Sequence, residues 1–262
     1  MTEQRIIPIH HGYNFRDLGG YPTADGHHVQ WGRLYRTGRL NILDAGERQQ
    51  FVQRHVAQIL DLRDNREVKE EPDPALTGAQ YHHLPVFISD ETGANLPWFS
   101  SSHDLAQKHH LGDQLMKVAY HDMLAKPTGQ QAYHNYFASL LAAKSNDAII
   151  FHCAAGKDRT GIAAYLTLRL LGVDEETARQ DYLMTNQCSI EHRRNRIREI
   201  KAAGGNDVMV SNVMEMASAK DEFLQSALDV VKQEAGSISA FFTKVLGFSA
   251  ADIKDLRKLY LV

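Results

Sequence analysis

The chain has 262 residues, of which 43% are hydrophobic, enough for one large domain or for a domain with an appended lobe. Its 29 basic and 32 acidic side chains leave a formal net charge of −3, which argues against a general nucleic-acid-binding protein. Two cysteines make no disulfide framework and indicate a reducing compartment. No signal peptide or membrane span is visible, so we expect a cytoplasmic location, while export without a cleaved signal stays open.

Hydrophobic periodicity and turn residues predict short strands that alternate with amphipathic helices. The first 40 residues are short apolar pieces, with a hairpin predicted at Asp25-Gly26. The charged stretch 64–74 ends in Glu-Pro-Asp-Pro and is predicted to be a loop. The other predicted elements, in chain order, are a helix over 43–55, strands over 56–63 and 81–86, helices over 103–124 and 127–141, a strand over 148–151, and helices over 162–171 and 175–184.

The carboxyl-terminal part is predicted to be helical throughout. A basic helical segment, Cys188–Arg198, ends before Gly204-Gly205, and residues 206–260 carry helical patterns split at Gly236 and Gly247. The order of the predicted strands and helices along the chain indicates an α/β fold with a small, mainly parallel central sheet flanked by helices. We expect one domain over 1–262, in which 206–262 form a helical lid or appendage.

The most informative stretch is residues 152–161, His-Cys-Ala-Ala-Gly-Lys-Asp-Arg-Thr-Gly. A buried strand precedes it and an apolar helix follows, so it is a strand-to-helix turn. The first turn of a helix has N–H donors without intrahelical partners, which favour an anion. Such donors also stabilise the thiolate of Cys153, and Arg159 can hold two oxygens of a tetrahedral dianion. Gly156 gives the loop access to positive φ.

A nucleotide-binding reading of Gly156-Lys157 fails. A Walker loop needs Ser or Thr after the lysine and a glycine five positions before Gly156. The residues at those positions are Asp158 and Phe151.

His152-Cys153, followed after five residues by Arg159-Thr160-Gly161, resembles the signature of cysteine-dependent tyrosine and dual-specificity phosphatases. The fuller loop, with Asn14–Gly20 and Leu34–Gly38, is similar to a bacterial branch described as atypical tyrosine and phosphoinositide phosphatases. Weaker matches are Asp61-Leu62-Arg63 and Asp181-Tyr182-Leu183, so the resemblance covers about the first 190 residues. It implies a tyrosine-phosphatase-like fold.

The chemistry expected from the loop is hydrolysis of phosphate monoesters through a phosphocysteine on Cys153, with no metal and no cofactor. The substrates implied are phosphotyrosine proteins, with phosphoserine or phosphothreonine proteins and phosphoinositides as further candidates. Thr160 can donate its hydroxyl to the sulfur. The predicted phosphate-binding residues are Ala154, Ala155, Gly156, Lys157 and Thr160, beside the catalytic Arg159.

Two aspartates compete for the role of general acid. Asp158 lies inside the loop beside Arg159, and in the resembled branch this loop aspartate matters for catalysis. Asp90 follows a predicted strand, where relatives usually carry the acid. Lys157 either adds charge for polyphosphorylated head groups or forms a salt bridge that stabilises the loop.

Other readings stay open. A sulfurtransferase or an arsenate reductase also uses Cys and Arg in an anion loop, and an inactive phosphate-binding module is a third class. Arg63 is a second cation near the site or the partner of Asp61 or Glu67. The basic run 192–198 is a solvated face or faces an acidic substrate, and Cys188 is an ordinary helix residue or a resolving thiol.

Overall fold

Five short strands form the central sheet of the computed structural model, which describes residues 5–88 and 102–262. Their order across the sheet is β1-β2-β5-β3-β4, and only the β1–β2 pair is antiparallel. This confirms the mainly parallel α/β sheet. The strands are β1 (Arg16–Asp17), β2 (Leu34–Thr37), β3 (Val56–Asp61), β4 (Gln80–His83) and β5 (Ala148–His152).

Helices flank the sheet and make up the carboxyl-terminal part of the chain. The first six are α1 (Ala45–Gln53), α2 (Asn65–Glu70), α3 (Ser102–Gln107), α4 (Leu111–Ala125), α5 (Pro127–Ala142) and α6 (Arg159–Leu171). The last six are α7 (Glu175–Cys188), α8 (Ile190–Ala202), α9 (Asp207–Ala217), α10 (Asp221–Ala235), α11 (Ile238–Lys244) and α12 (Ala250–Tyr260). None of the helices in the described part of the chain has both the length and the apolar character needed to cross a membrane.

The prediction of a loop over 64–74 was wrong, because α2 forms within it. The Asp64 side chain accepts the N–H groups of Arg66 and Glu67, and the Glu67 carboxylate accepts the N–H of Asp64. This capping box satisfies the exposed donors of the first turn and stabilises a short helix in spite of its charged composition.

Two other local predictions need correction. The hairpin at Asp25-Gly26 forms as a turn with an isolated bridge between Pro22 and His28, without two paired strands. The helix predicted over 103–124 is divided into α3 and α4, since His110 adopts a left-handed φ of 58° at the start of α4. By contrast, α6 ends as predicted at Gly172, whose φ is 95°.

The main hydrophobic core joins the sheet to both early and late helices. Ile149 of β5, Tyr120 of α4 and Ile162 of α6 belong to the same buried cluster as Phe223 and Leu224 of α10. The ring of Phe223 lies 5.8 Å from that of Tyr120, centroid to centroid. The carboxyl-terminal helices therefore contribute apolar surface to the core that carries the central strand.

We expect Phe223→Ala to lower the free energy of unfolding by about 3 kcal/mol, because it leaves a cavity against α4. Urea unfolding followed by circular dichroism measures the loss. The matched control is Val118→Ala on the exposed side of α4, which should change stability by less than about 0.5 kcal/mol. A separate early transition confined to the last helices, with the main transition unchanged, would contradict this prediction.

Candidate active site

The carboxyl ends of the parallel strands converge where the loop 153–158 begins. In the sheet register His152 pairs with Thr37 of β2 on one side and with Asp61 of β3 on the other. Cys153 follows directly and is 1% exposed. Polar groups gather at this edge because parallel strands all end there.

The first loop carbonyls are held by donors from outside the loop. The oxygen of Ala154 accepts the Tyr13 hydroxyl at 3.2 Å and the backbone N–H of Arg39 at 3.0 Å. The oxygen of Ala155 accepts the Asn14 side-chain amide at 3.3 Å. The Asn14–Gly20 motif thus starts with a residue that touches the loop directly, which its sequence alone did not reveal.

The carbonyl oxygen of Gly156 accepts the shortest of these hydrogen bonds. It accepts the Asn14 side-chain amide at 2.6 Å and Nη2 of Arg36 at 3.0 Å. Gly156 has a φ of 64°, and a Cβ atom there would overlap the carbonyl of Thr37. Only glycine satisfies both the dihedral angle and the close approach.

Because the peptide bond is planar, these outward contacts turn the N–H groups of Ala155, Gly156 and Lys157 inward. We call these inward N–H groups the anion cradle. In a trans peptide the carbonyl and the following N–H point in opposite directions. The carbonyls of Ala154, Ala155 and Gly156 point out to their donors, so the N–H groups of the next residues point into the loop. The N-terminus of α6 adds its positive end of the helix dipole to the same space.

Arg159, the first residue of α6, is oriented by Glu67 of α2. Its two Nη atoms bind the two carboxylate oxygens of Glu67, one of them at 2.9 Å, and both side chains are buried. The Tyr133 hydroxyl donates to the Arg159 carbonyl at 3.1 Å. Glu67 was missed as a site residue, although the Asp64-x-x-Glu67 capping pattern was a signal for an ordered helix there.

Asp158 lies in a buried hydrogen-bond chain. Its Oδ1 accepts the Tyr120 hydroxyl at 2.8 Å and contacts Nζ of Lys157. The Tyr120 and Tyr182 hydroxyls are 2.8 Å apart. Burial and the neighbouring Asp158 raise the pKa of Tyr120 well above its usual value, so this hydroxyl keeps its proton and donates.

Lys157 is buried between the loop and the segment before α10. Besides its ion pair with Asp158, its Nζ lies 3.4 Å from the carbonyl oxygen of Ser218. The loop-stabilising salt bridge considered from the sequence is therefore present. The contact with Ser218 also places the carboxyl-terminal helices beside the loop.

Three other predicted residues have distinct outcomes. The Thr160 hydroxyl is buried, with no hydrogen-bond partner in the described part of the chain, so the contact with the sulfur stays a prediction. Asp90 lies outside the described residues. Arg63 takes the structural role, because its guanidinium binds Asp61 at 2.7 Å and Asp73 at 2.9 Å.

His152 sits in the buried cluster formed by Asp61, Asp73 and Arg63. Its Nε2 lies 2.8 Å from Asp73 and 3.8 Å from Asp61, and its Nδ1 lies 3.2 Å from the Cys153 carbonyl oxygen. Burial alone would lower the pKa of His152, but attraction to Asp73 and Asp61 outweighs burial and raises it to about 9. An imidazolium therefore braces the start of the loop at neutral pH.

The aromatic side of the site is formed by Tyr13 and His192 of α8, whose rings stack at 4.2 Å. Burial, with Arg39 and Arg196 nearby, lowers the pKa of His192 to about 4, so this ring is neutral at pH 7. Arg194 of the same basic run is exposed and pairs with Glu191. The run therefore has one member packed against the site and others on a solvated face.

Histidine and carboxylate groups come close enough for a metal ion in three places among the described residues. The buried one, Asp61-Asp73-His152, already has the guanidinium of Arg63 against both carboxylates. Another, His11-Asp44-Glu47, is built from the two side chains that cap α1. Both arrangements are accounted for by charge pairing and capping.

The chain resembles known phosphatases along nearly its full length. The model of a tyrosine phosphatase family matches residues 7–262. A tyrosine-protein phosphatase homologue from Cupriavidus necator is 26% identical over 252 residues, covering 95% of this chain and 85% of the relative. The triple specificity protein phosphatase PtpB of Mycobacterium tuberculosis is 26% identical over 279 residues, covering 95% of this chain and 96% of the relative.

The raised pKa of His152 predicts a pH-dependent stability. Its folded-state pKa of about 9 exceeds the unfolded value of about 6.5, so the stabilisation is complete below pH 6.5 and is lost as the pH rises to 9. Urea midpoints measured from pH 6 to 9.5 should fall more steeply for the wild type than for His152→Asn. The exposed-histidine control, His10→Asn, should follow the wild type. Equal slopes for wild type and His152→Asn would contradict the assignment.

Proposed function

From the premise that the chain belongs to the tyrosine phosphatase family, we propose that it hydrolyses phosphotyrosine proteins through a phosphocysteine on Cys153. Hydrolysis of phosphoric monoesters is the reaction of that family. The observation that carries the proposal is the loop backbone, in which three successive carbonyls bind donors outside the loop. The N–H groups of the residues that follow these carbonyls then surround a tetrahedral anion placed above Cys153.

In the first step the Cys153 thiolate attacks phosphorus. An S–P bond forms, the bond from phosphorus to the tyrosine oxygen breaks, and a carboxylic acid gives its proton to the departing oxygen. The inward amides and the Arg159 guanidinium stabilise the charge on the three equatorial oxygens. A guanidinium has five N–H donors, so binding Glu67 along one edge is compatible with binding phosphate along another.

In the second step water attacks the phosphocysteine. The carboxylate takes a proton from the water, a P–O bond forms, the S–P bond breaks and inorganic phosphate leaves. The Thr160 hydroxyl, buried beside Arg159, donates to the departing sulfur. The first step removes the proton from this carboxyl group and the second step restores it, so each turnover ends with the acid protonated again.

Asp158 is the better supported of the two candidate carboxylates. It lies in the loop, and Tyr120 and Lys157 fix one of its oxygens as an acceptor, which suits the base of the second step. Asp90 is the alternative candidate for the general acid.

Phosphoserine and phosphothreonine proteins and phosphoinositides are second candidates. The relative from Mycobacterium tuberculosis carries triple specificity in its name, and Lys157 places an ammonium group beside the loop. The ion pair with Asp158 offsets much of that charge, which ranks phosphotyrosine first.

Family membership also weighs against the other readings of the sequence. A sulfurtransferase or an arsenate reductase would not match a tyrosine phosphatase family model over residues 7–262. An inactive phosphate-binding module typically lacks the cysteine or the arginine, and both Cys153 and Arg159 are present at the loop.

The segment 206–262 serves in this proposal as a helical cover on one side of the pocket. Its support is the approach of the Ser218 carbonyl to Lys157 and the hydrogen bond from Asn186 of α7 to the Ala219 carbonyl at 2.7 Å. These contacts tie the segment to both the loop and α7.

The direct test is release of inorganic phosphate from phosphotyrosine, phosphoserine and phosphothreonine peptides and from a phosphoinositide in mixed micelles. The wild type should release phosphate fastest from phosphotyrosine. Cys153→Ser should lose at least about 10⁴-fold in rate while still binding phosphate, because only the nucleophile is changed. Acid quench of the wild type should trap phosphate on Cys153.

No release from any monoester, or phosphate trapped elsewhere, would refute the phosphocysteine proposal. Lys157→Met separates the substrate classes. A larger loss on the phosphoinositide than on phosphotyrosine supports a head-group role for Lys157, and equal losses refute it.

The general acid is identified by leaving-group dependence. Removal of the acid should cost about 10²-fold or more on phenyl phosphate but far less on p-nitrophenyl phosphate, whose leaving group needs no proton. We expect this pattern for Asp158→Asn and near-equal, small effects for Asp90→Asn. The reverse pattern would transfer the acid role to Asp90, and equal losses on both esters would exclude Asp158 as the acid.

A further inference from the structure

Two buried arginines and one buried aspartate lie directly behind the loop. Arg16 of β1 binds Asp181 of α7 through Nε at 3.0 Å, and Arg36 of β2 binds the other carboxylate oxygen through Nη1 at 2.7 Å. The two arginine side chains are fully buried and that of Asp181 is 1% exposed. We call Arg16, Arg36 and Asp181 the buried charge set.

The buried charge set carries a net charge of +1. Burial raises the pKa of Asp181, but the two arginines outweigh burial and hold it well below its usual range, so the carboxylate is ionised. Burial and the field of Arg16 lower the pKa of Arg36, yet a guanidinium stays protonated at neutral pH. The hydroxyl of Tyr21 donates to Asp181 at 3.0 Å, and burial raises the pKa of Tyr21, so it adds no charge.

The ion pairs beside the buried charge set are each balanced. Arg159 pairs with Glu67, and Lys157 pairs with Asp158. The cluster around His152 has two cations and two carboxylates when the imidazole is protonated. Two further tyrosines near Arg36, Tyr136 and Tyr182, are kept neutral because burial raises their pKa values. Among the groups that bond the Gly156 carbonyl or its donor Asn14, the excess positive charge thus resides in the buried charge set.

Both arginines act on the same loop carbonyl. Arg36 donates to the Gly156 oxygen at 3.0 Å, and Arg16 donates to the side-chain oxygen of Asn14, whose amide donates to that same oxygen at 2.6 Å. A cation at the oxygen end of a peptide group polarises it and makes the opposite N–H, that of Lys157, a stronger donor. The protein interior screens charge less than water does, so these cations act on the loop more strongly than exposed cations would.

We propose that the buried charge set is an electrostatic positioning element, which strengthens phosphate binding by the loop and stabilises the thiolate by polarising the Gly156–Lys157 peptide. The three residues touch no substrate and act through the loop backbone. This role rests on the proposed function of the loop. It accounts for three charged side chains at a place where burying ions is unfavourable and apolar packing would be as stable.

The experiment changes the charge in both directions. Arg36→Met lowers the net charge of the set to zero, and Asp181→Asn raises it to +2. We expect about tenfold weaker binding of inorganic phosphate and about tenfold slower iodoacetamide alkylation of Cys153 at pH 6 for Arg36→Met. Asp181→Asn should bind phosphate at least as tightly as the wild type, and Arg36→Lys, which keeps the charge, should recover most of the affinity.

Arg33→Met is the matched control. Arg33 is also buried, and its three side-chain nitrogens donate to the carbonyls of Asp147, Leu259 and Lys144, away from the loop. Its loss should lower the melting temperature without changing phosphate affinity.

A purely structural role predicts something else, namely that Arg36→Met and Asp181→Asn both weaken phosphate binding and that Arg36→Lys does not recover it. That result would overturn the inference, as would failure of both Arg36→Met and Asp181→Asn to fold. The proposed function fails separately: its failure shows as a wild type that neither binds phosphate nor releases it from any monoester.

Discussion

The geometry of the trans peptide is the constraint on which this site depends. Each peptide group has its acceptor on one side and its donor on the other, so a loop can turn its amides inward only if its carbonyls are satisfied outside. Tyr13, Asn14 and Arg36 supply those outside donors. The anion cradle is therefore as much a property of β1, β2 and the segment before them as of the loop itself.

Distant elements are tied to the loop by charge. The guanidinium of Arg159 is fixed from α2 by Glu67, Asp158 is fixed from α4 by Tyr120, and Arg36 is fixed from α7 by Asp181. These groups are buried, so each interaction stabilises the loop only while both of its partners are present. The loop is consequently held by contacts from three other elements, which suits chemistry that relies on preorganised charge.

The sequence by itself determined the elements whose signals are local. The strand before Cys153, the loop and the helix that ends at Gly172 follow from consecutive residues, and all three form as predicted. The family resemblance rested on the same short motifs. The prediction from local composition was wrong at α2, because the capping box of Asp64 and Glu67 stabilises a helix within a charged stretch.

Tertiary structure alone decided which side chains hold the loop. Glu67 and Arg159 are 92 residues apart, and Arg36 and Asp181 are 145 apart, so no periodic pattern connects them. The same holds for Lys157 and Ser218, which are 61 residues apart. Pairing between distant residues depends on how helices pack over the sheet, and that packing is set by the whole core, which no local stretch of sequence encodes.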